Sequence, residues 1–370
     1  MIQYEITTFY IMLYAGVTFV AATACCYLIF RRGNAIAPDV TSPIRLRHWT
    51  AAFFAVIVLS HVWWFEIEFH QQDNVIGHAI AMGLDGVALL ITVVGFLFSM
   101  LQDRKRSLLP VFIALIPFLA GVALCIIRND KDLFQIPLTY FLLVFFAFIV
   151  YMAYSVRQYS YWLRDNYADL EHKEVWQSLL LLAVFFLFFT IYSNDVKDIA
   201  YQYLIQTNCL ILIALLLWRV ETLQQLEPVT AQEADTLNTK GAFGTTSLNV
   251  PTNIGALLKE HCEVPQLYLC HDITLDELSK AVGTNRTYLS AYFAQEDISY
   301  NAYINRLRVQ HFVRLYRERT GQKQQFTAQE LANESGFRSY ATFGLAFKRF
   351  MGKTVSSWIK TEFQNLQFGS

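Results

Sequence analysis

The sequence predicts an all-α protein: a polytopic transmembrane helix bundle of about seven spans, followed by a soluble domain with a duplicated helix-turn-helix pattern. Three observations lead to this fold class. The 370 residues are 55% hydrophobic and only 16% charged, which is far from the average of soluble proteins. The apolar residues are concentrated in long runs before about residue 218. From about residue 253 onward the composition is mixed, and one pattern of helix signals occurs twice.

The apolar runs set the number of spans. Seven of them approach or exceed the roughly 20 residues of helix that cross a hydrocarbon core of about 30 Å. They lie near residues 6–30, 49–69, 76–100, 108–127, 136–156, 176–193 and 198–218. The first run has no basic segment before it and no small-residue cleavage site after it, so we expect it to be retained.

The loops between these runs predict the orientation. Basic residues are concentrated in the first, third and fifth loops, at Arg31, Arg32, Arg45, Arg47, Arg104, Lys105, Arg106, Arg157, Arg164 and Lys173. The second loop has no Lys or Arg, and Arg128 and Lys131 of the fourth are balanced by Asp130 and Asp132. Because cytoplasmic loops carry the excess of basic residues, we expect the N-terminus outside and the C-terminal domain in the cytoplasm, an orientation that requires an odd number of spans.

Composition divides the chain into three parts. Residues 1–220 form the predicted seven-helix transmembrane domain, and residues 221–252 change to acidic and then to Thr-, Gly-, Ser- and Asn-rich sequence. That composition is typical of a flexible linker, and a coil of this length has a root-mean-square reach of about 30 Å. Residues 253–370 form the predicted soluble domain.

The soluble domain contains an internal repeat. In the first copy, Thr274 and Glu277 form a capping box, Gly283 marks a turn, and a second helix follows. In the second copy, Thr327 and Glu330 form the capping box and Gly336 marks the turn. Inward-facing apolar residues occupy corresponding places, at Leu275, Leu278, Leu289 and Phe293 in the first copy and Leu331, Phe343 and Phe347 in the second. An amphipathic helix from about Tyr300 to Tyr316 joins two helix-turn-helix units, which could enter successive major grooves of DNA.

Three segments carry a resemblance to a known family. They are TLDELSKAVGTNRTYLS from Thr274, YINRLR from Tyr303, and GFRSYATFGLAFKRFMG from Gly336. Over about 110 residues they resemble the DNA-binding domain of the AraC/XylS family of bacterial transcription regulators. The resemblance implies a sequence-specific activator or repressor of bacterial transcription, with double-stranded DNA, RNA polymerase and a second copy of the chain as partners. From the resemblance and the predicted spans together, we expect a location in the bacterial inner membrane.

The resemblance and the helix pattern together give candidate DNA contacts. For reading bases we expect the exposed faces of the second helix of each unit, with Asn285, Arg286, Thr287, Ser290, Arg338, Tyr340, Ala341 and Leu345. For phosphates we expect Ser339, Lys348, Arg349 and Lys353. Ala291, Ala341 and Leu345 stand where the family often has Arg or Gln, which favours thymine-methyl contacts and DNA shape over hydrogen bonds to bases. The domain carries 14 Lys and Arg against 11 Asp and Glu, so its charge supports DNA binding only modestly.

Ionisable residues within the apolar runs are candidates for a signal site, because charge inside a bilayer is costly and faces a cavity or a partner. They are His61, Glu66, Glu68, His70, His78 and Asp85. One interpretation is a His and carboxylate cluster open to the outside, suited to a divalent metal or a cationic ligand. The other, which we favour, is interfacial snorkelling and hydrogen bonding between helices. We therefore predict no bound metal and no cofactor, and the small ligand stays unknown.

Two further features have open interpretations. The stretch from Arg157 to Val175 predicts an amphipathic helix on the membrane surface. It acts as a plain connector, which we favour, or as a docking or dimer surface for the DNA-binding domain. The pairs His261 with Cys262 and Cys270 with His271 lack the spacing of a zinc finger, so we expect ordinary reduced thiols.

Three classes of function remain after these observations. The first is a membrane-embedded transcription regulator controlled by a signal that the lipid-embedded helices sense. The second is a transporter-like or receptor membrane protein whose C-terminal domain mediates protein interactions. The third is a regulator that the spans only anchor. No paired catalytic carboxylates, nucleophile motif or phosphate-binding loop occurs, so no enzymatic activity is predicted.

Overall fold

The computed structural model describes residues 2–31, 33–70, 75–128, 133, 135–176, 180, 183, 184, 199–226 and 254–368. The chain divides into two units. The first consists of Met1–Ser160 with His172–Glu227, and the second of Tyr161–Glu171 with Pro228–Ser370. Every regular element among the described residues is a helix, with one isolated antiparallel bridge between Tyr167 and Thr274. The predicted all-α fold class is confirmed.

The first unit contains the apolar helices. They are α1 (Ile2–Phe30), α2 (Ile44–His70), α3 (Val75–Met100), α4 (Leu109–Arg128), the greater part of α5 (Gln135–Asn166) and α6 (Ile199–Thr222). In the described part of the chain, these six are long and apolar enough to cross a membrane. Most of the sixth predicted span, residues 176–193, lies outside the described residues, and α6 corresponds to the seventh.

These helices pack through one face and leave another face uncovered. Val17, Phe54, Val93, Phe145 and Leu212 are almost fully buried between helices. Large apolar side chains elsewhere on the same helices are exposed, as at Phe19, Phe30, Ile116, Ile127 and Leu143. Apolar faces of this extent favour lipid as their surroundings, because water penalises exposed apolar area.

The first unit contains a buried network of polar groups around Glu221. The carboxylate of Glu221 accepts hydrogen bonds from the Tyr27 hydroxyl at 3.0 Å and from the Ile36 backbone N–H at 3.2 Å. The Arg47 guanidinium lies 3.5 Å from the same carboxylate, and both side chains are buried. Helix α6 thus continues through Thr222 into the predicted linker 221–252, since Glu221 has buried partners rather than solvent. Residues 227–253 lie outside the described part.

The stretch from Arg157 to Val175 is not one amphipathic helix, so that prediction is wrong. Helix α5 continues without a break to Asn166, and no helix follows before Val175. Tyr159 and Leu163 are fully buried, which explains why the helix extends beyond the apolar run that predicted it. His172 then adopts a positive φ of 62°, in a conformation that belongs to turns and not to helices.

The second unit is built from short helices. They are α7 (Ile254–Leu258), which continues as a π-helical turn (Lys259–Glu263), a 3-10 turn (Leu267–Leu269), α8 (Leu275–Ala281), α9 (Arg286–Gln295), α10 (Tyr300–Gly321), α11 (Ala328–Glu334), α12 (Tyr340–Met351) and α13 (Val355–Phe368). We call α8 and α9 the first helix pair, and α11 and α12 the second helix pair.

Helix α10 serves two hydrophobic cores. Its N-terminal half, with Tyr303, Ile304 and Leu307, packs into the core that contains the first helix pair. Its C-terminal half, with Val309, Phe312 and Tyr316, packs into the core of the second pair. One continuous helix therefore fixes both pairs, as expected of the spacer that the sequence predicts from Tyr300 onward.

Candidate nucleic-acid interface

The first helix pair has the local structure that its sequence predicts. The Glu277 backbone N–H donates to the Thr274 hydroxyl at 3.2 Å, and the Glu277 carboxylate accepts from the Thr274 backbone N–H at 2.8 Å. This reciprocal capping box starts α8. Gly283 then has a φ of +72°, which turns the chain into α9. Leu278, Leu289 and the remaining inward-facing residues of the prediction are buried.

The second helix pair repeats this construction. Glu330 and Thr327 form the capping box, with bonds of 3.1 Å and 2.8 Å. The capping bonds also lower the pKa of the exposed Glu330 carboxyl, which keeps the accepting form charged. Gly336 has a φ of +87° at the turn, and Phe343 and Phe347 point into the core.

The candidate base contacts of the first pair lie at the beginning of α9. Asn285 is the N-cap, and its side-chain oxygen accepts from the Tyr288 backbone N–H at 2.8 Å. Arg286 donates a hydrogen bond to the Asn166 side chain. Thr287 and Ser290 are exposed on the outer face of α9. Asn285 is thus engaged in capping, whereas Thr287 and Ser290 have the exposure that groove entry requires.

The candidates of the second pair lie at the corresponding end of α12. Arg338 precedes the helix and donates to the Asp272 carboxylate. Tyr340, Ala341 and Leu345 are exposed along α12, and 75% of Leu345 is accessible. The exposed face of α12 is therefore mainly apolar and aromatic and does not present a row of hydrogen-bond donors.

The candidate phosphate contacts flank α12. Ser339 is the N-cap of the helix, and its hydroxyl accepts from the Thr342 backbone N–H at 3.3 Å. Lys348 and Arg349 are exposed in the last turn, and Lys353 is half-buried just after Gly352. These three cations lie at the C-terminal end of an exposed helix, where they suit a phosphate backbone that borders a groove.

A buried arginine, to which the sequence analysis assigned no role, joins the two pairs. Arg308 of α10 is 1% exposed, and its guanidinium donates to the backbone carbonyls of Tyr268 at 2.7 Å, Cys270 at 2.7 Å and His271 at 3.1 Å. The same group lies 5.7 Å from the ring centre of Phe337, which follows the turn of the second pair. Burial lowers the pKa of Arg308 to about 10, so it remains protonated at neutral pH.

Comparison with known proteins bears on this part of the chain. A family model described as a helix-turn-helix domain matches residues 278–361, a range that contains α9 to α12 completely. Residues 278–361 form a helix-turn-helix domain. Over 98 residues the chain is 31% identical to an uncharacterized HTH-type transcriptional regulator of Staphylococcus aureus (strain MRSA252). That similarity covers 26% of this chain and only 12% of the relative. No solved structure matches the chain.

Outside the helix-turn-helix domain, two described candidates for a signal site, His61 and Asp85, have hydrogen-bond partners within the helix bundle. The His61 ring lies 2.8 Å from the Ile57 carbonyl oxygen through Nδ1 and 3.1 Å from Gln206 Oε1 through Nε2. Asp85 is buried and accepts hydrogen bonds from Ser60 and Trp64. Glu66 is exposed. No group of three or more metal-ligating side chains occurs among the described residues. The side chains of Glu68, His70 and His78 lie outside the described part.

Cys262 and Cys270, which belong to the second unit, differ in their exposure to solvent. Cys262 is fully buried, and this burial raises the pKa of its thiol to about 12. Cys270 is exposed. Because the thiolate is the reacting form, the two thiols provide a test of the packing around the π-helical turn.

We expect a maleimide to modify Cys270 of the solubilised full-length protein at least about a hundredfold faster than Cys262. Peptide mass spectrometry after timed quenching measures both rates in one sample. In denaturant the two thiols should react at similar rates. Equal rates in the folded protein would contradict the buried position of Cys262.

Proposed function

We propose that this protein is a membrane-embedded, one-component transcription regulator that binds promoter DNA through two helix-turn-helix units. The observation that carries the proposal is the pair of capped helix pairs fixed on one continuous helix, each with an exposed face at the start of its second helix. Two such helices on one rigid spacer suit successive major grooves, which recur about every 34 Å along one face of DNA.

The apolar helices support a membrane location for this function. Their uncovered apolar faces favour lipid, and the basic residues of the odd-numbered loops favour an orientation with the C-terminal unit in the cytoplasm, where DNA is found. A bacterial inner membrane, RNA polymerase as a partner and a homodimer follow from the family resemblance. We assign the helix bundle the role of sensing a signal, and the polar side chains of α2 and α3 remain the candidates for its site.

The DNA contacts divide into two classes in this proposal. Thr287, Ser290, Tyr340, Ala341 and Leu345 face the bases, and the apolar members among them suit thymine methyl groups. Arg286, Arg338, Lys348, Arg349 and Lys353 supply charge for phosphates and bases. Asn285 and Ser339 act mainly by capping and so by positioning the two helices.

The test is crosslinking of the full-length protein to DNA in its native cells, followed by sequencing of the recovered fragments. We expect discrete promoter peaks for the unmodified protein and a loss of at least about tenfold in their enrichment for the variant with Arg338→Ala and Lys348→Ala, because each phosphate or base contact contributes on the order of 1 kcal/mol or more.

The matched control carries Arg317→Ala and Lys360→Ala. It removes the same two charges from α10 and α13, outside both helix pairs, and its peaks should persist. Absence of discrete peaks for the unmodified protein, or equal loss in both variants, would contradict sequence-specific binding through the helix pairs and would favour the protein-interaction alternative.

A further inference from the structure

The segment Tyr161–Glu171, which we call the connector, packs with the helix pairs. Its backbone forms an antiparallel bridge in which Tyr167 pairs with Thr274, and the Ala168 N–H donates to the Ile273 carbonyl at 3.2 Å. The Ala168 side chain is fully buried in the core of the first helix pair. The connector thus binds next to the capping box that begins the first pair.

A buried side chain of α10 holds the same stretch. The Asn301 amide donates to the Ala168 carbonyl at 2.6 Å and to the Tyr167 carbonyl at 3.3 Å, and Asn301 is only 7% exposed. A buried amide without partners costs about 1–3 kcal/mol. The matched hydrogen bonds indicate a specific docking position for the connector.

From this position the connector engages one candidate DNA-contacting arginine of each helix pair. Asn166 accepts a hydrogen bond from Arg286, the first residue of α9. The Asp169 carboxylate, in a residue only 3% exposed, lies 3.7 Å from Nε of Arg338, which precedes α12 and also donates a hydrogen bond to the Asp272 carboxylate. The connector therefore contacts one arginine of each helix pair.

The connector carries a net negative charge, as the DNA backbone does, so both can attract the same arginine side chains. It contains Asp165, Asp169 and Glu171 against Arg164. At 3.7 Å the Asp169 carboxylate attracts the Arg338 guanidinium by charge, as a phosphate of DNA would. An arginine that contacts the connector is less available to DNA.

We propose that the connector is an autoinhibitory element that occupies Arg286 and Arg338, and that full DNA binding requires its release. The proposal rests on the function proposed above. The connector begins within α5, a single helix from Gln135 to Asn166, so a shift of that helix moves the connector directly. A signal that moves α5 would thereby control how many arginines are available to DNA.

The first test compares two substitutions that change the charge equally. Asp169→Asn removes the carboxylate beside Arg338, and Asp165→Asn removes an exposed carboxylate of the same segment. Purified full-length protein is titrated with random-sequence duplex DNA at low ionic strength, where phosphate contacts dominate binding. We expect Asp169→Asn to bind about five- to tenfold more tightly than the unmodified protein, and Asp165→Asn to differ from it by less than about twofold.

The second test fixes the connector in place. The double variant Tyr167→Cys with Thr274→Cys places two thiols at an antiparallel bridge, where paired residues lie within reach of a disulfide. The oxidised form should bind the duplex at least about tenfold more weakly than the same protein after reduction. The disulfide keeps the connector attached to the first helix pair, whereas the reduced protein can release it. Unmodified protein treated identically controls for the native cysteines, and mass spectrometry verifies the bridge.

The outcomes separate the two proposals. If the duplex binds equally well to the oxidised and reduced forms, and Asp169→Asn matches Asp165→Asn, the connector is a permanent structural part and the autoinhibition is overturned while DNA binding stands. If no form binds duplex DNA, including Asp169→Asn and the reduced double variant, the proposed function fails and this inference fails with it.

Discussion

Replacement of Arg308 by methionine is expected to lower the free energy of unfolding of the helix-turn-helix domain by about 3–5 kcal/mol. Methionine fills much of the volume but donates no hydrogen bond, so the backbone carbonyls of Tyr268, Cys270 and His271 lose the Arg308 donor. Of these, the Cys270 carbonyl keeps a longer bond of 3.4 Å from the Ile273 N–H. Unsatisfied buried polar groups cost about 1–3 kcal/mol each. The saving from no longer burying a charge offsets part of this loss.

Hydrogen exchange of the full-length protein measures this effect where it arises. Backbone amides in the middle of α10 should exchange about 150- to 5,000-fold faster in the Arg308→Met variant, because exchange there requires opening of the domain. Arg306→Met is the matched control, since Arg306 lies on the same helix but is exposed and only contacts the Tyr303 ring at 5.8 Å. Equal protection in both variants would contradict the role of Arg308 as the buried link between the pairs.

Local signals explain why so much of the helix-turn-helix domain could be predicted from its sequence. A capping box requires only two residues three positions apart, and both boxes occur where Thr274 and Thr327 predicted them. The turn glycines also act locally, through a positive φ that other residues rarely adopt. The apolar positions of each helix then follow from its period.

Two of the candidate DNA contacts also have a capping role that the sequence analysis did not assign. Asn and Ser are common both in DNA interfaces and at helix N-caps. Asn285 and Ser339 stand immediately before their helices, and the structure shows both as caps. Their position directly before the first helical residue was the signal that could have separated the two roles.

The docking of the connector could not be predicted from local patterns. Asn301 and Ala168 are 133 positions apart in the chain, and no periodicity relates them. A polar Asn at the start of a helix looks like a solvated residue until its partner is known. The boundary of α5 was missed for a related reason, because hydropathy follows the apolar run and Tyr159 and Leu163 extend the buried face beyond it.

The apolar helices show what hydropathy can and cannot give. The runs near 76–100 and 108–127 agree with α3 and α4 within about a residue at each end. Helix α2 begins at Ile44, before the apolar run near 49, and its first residues include the charged Arg45 and Arg47. Hydropathy locates the part of a helix suited to lipid, whereas its ends depend on side-chain partners such as Glu221 for Arg47.

Substitution of Gly336 by alanine is expected to destabilise the domain by at least about 3 kcal/mol, and the equivalent Gly283→Ala by only about 1–2 kcal/mol. Both glycines have a positive φ, so both variants carry the strain of an L-residue in that conformation. A Cβ at Gly336 would also meet the Leu269 backbone at 2.9 Å and Nε of Arg308 at 3.1 Å. A Cβ at Gly283 meets nothing within 4 Å.

In the sequence these two glycines are equivalent turn residues. The difference in destabilisation between the two alanine variants therefore tests how the second pair packs against the segment around Leu269, whose carbonyls Arg308 binds. Relief of the clash at Gly336 must move backbone, which is far less compliant than the end of a flexible side chain. Hydrogen exchange of α10 amides gives both free energies in the full-length protein. Equal destabilisation by the two substitutions would show that positive φ alone determines the cost, and that the Leu269 backbone does not pack against this turn.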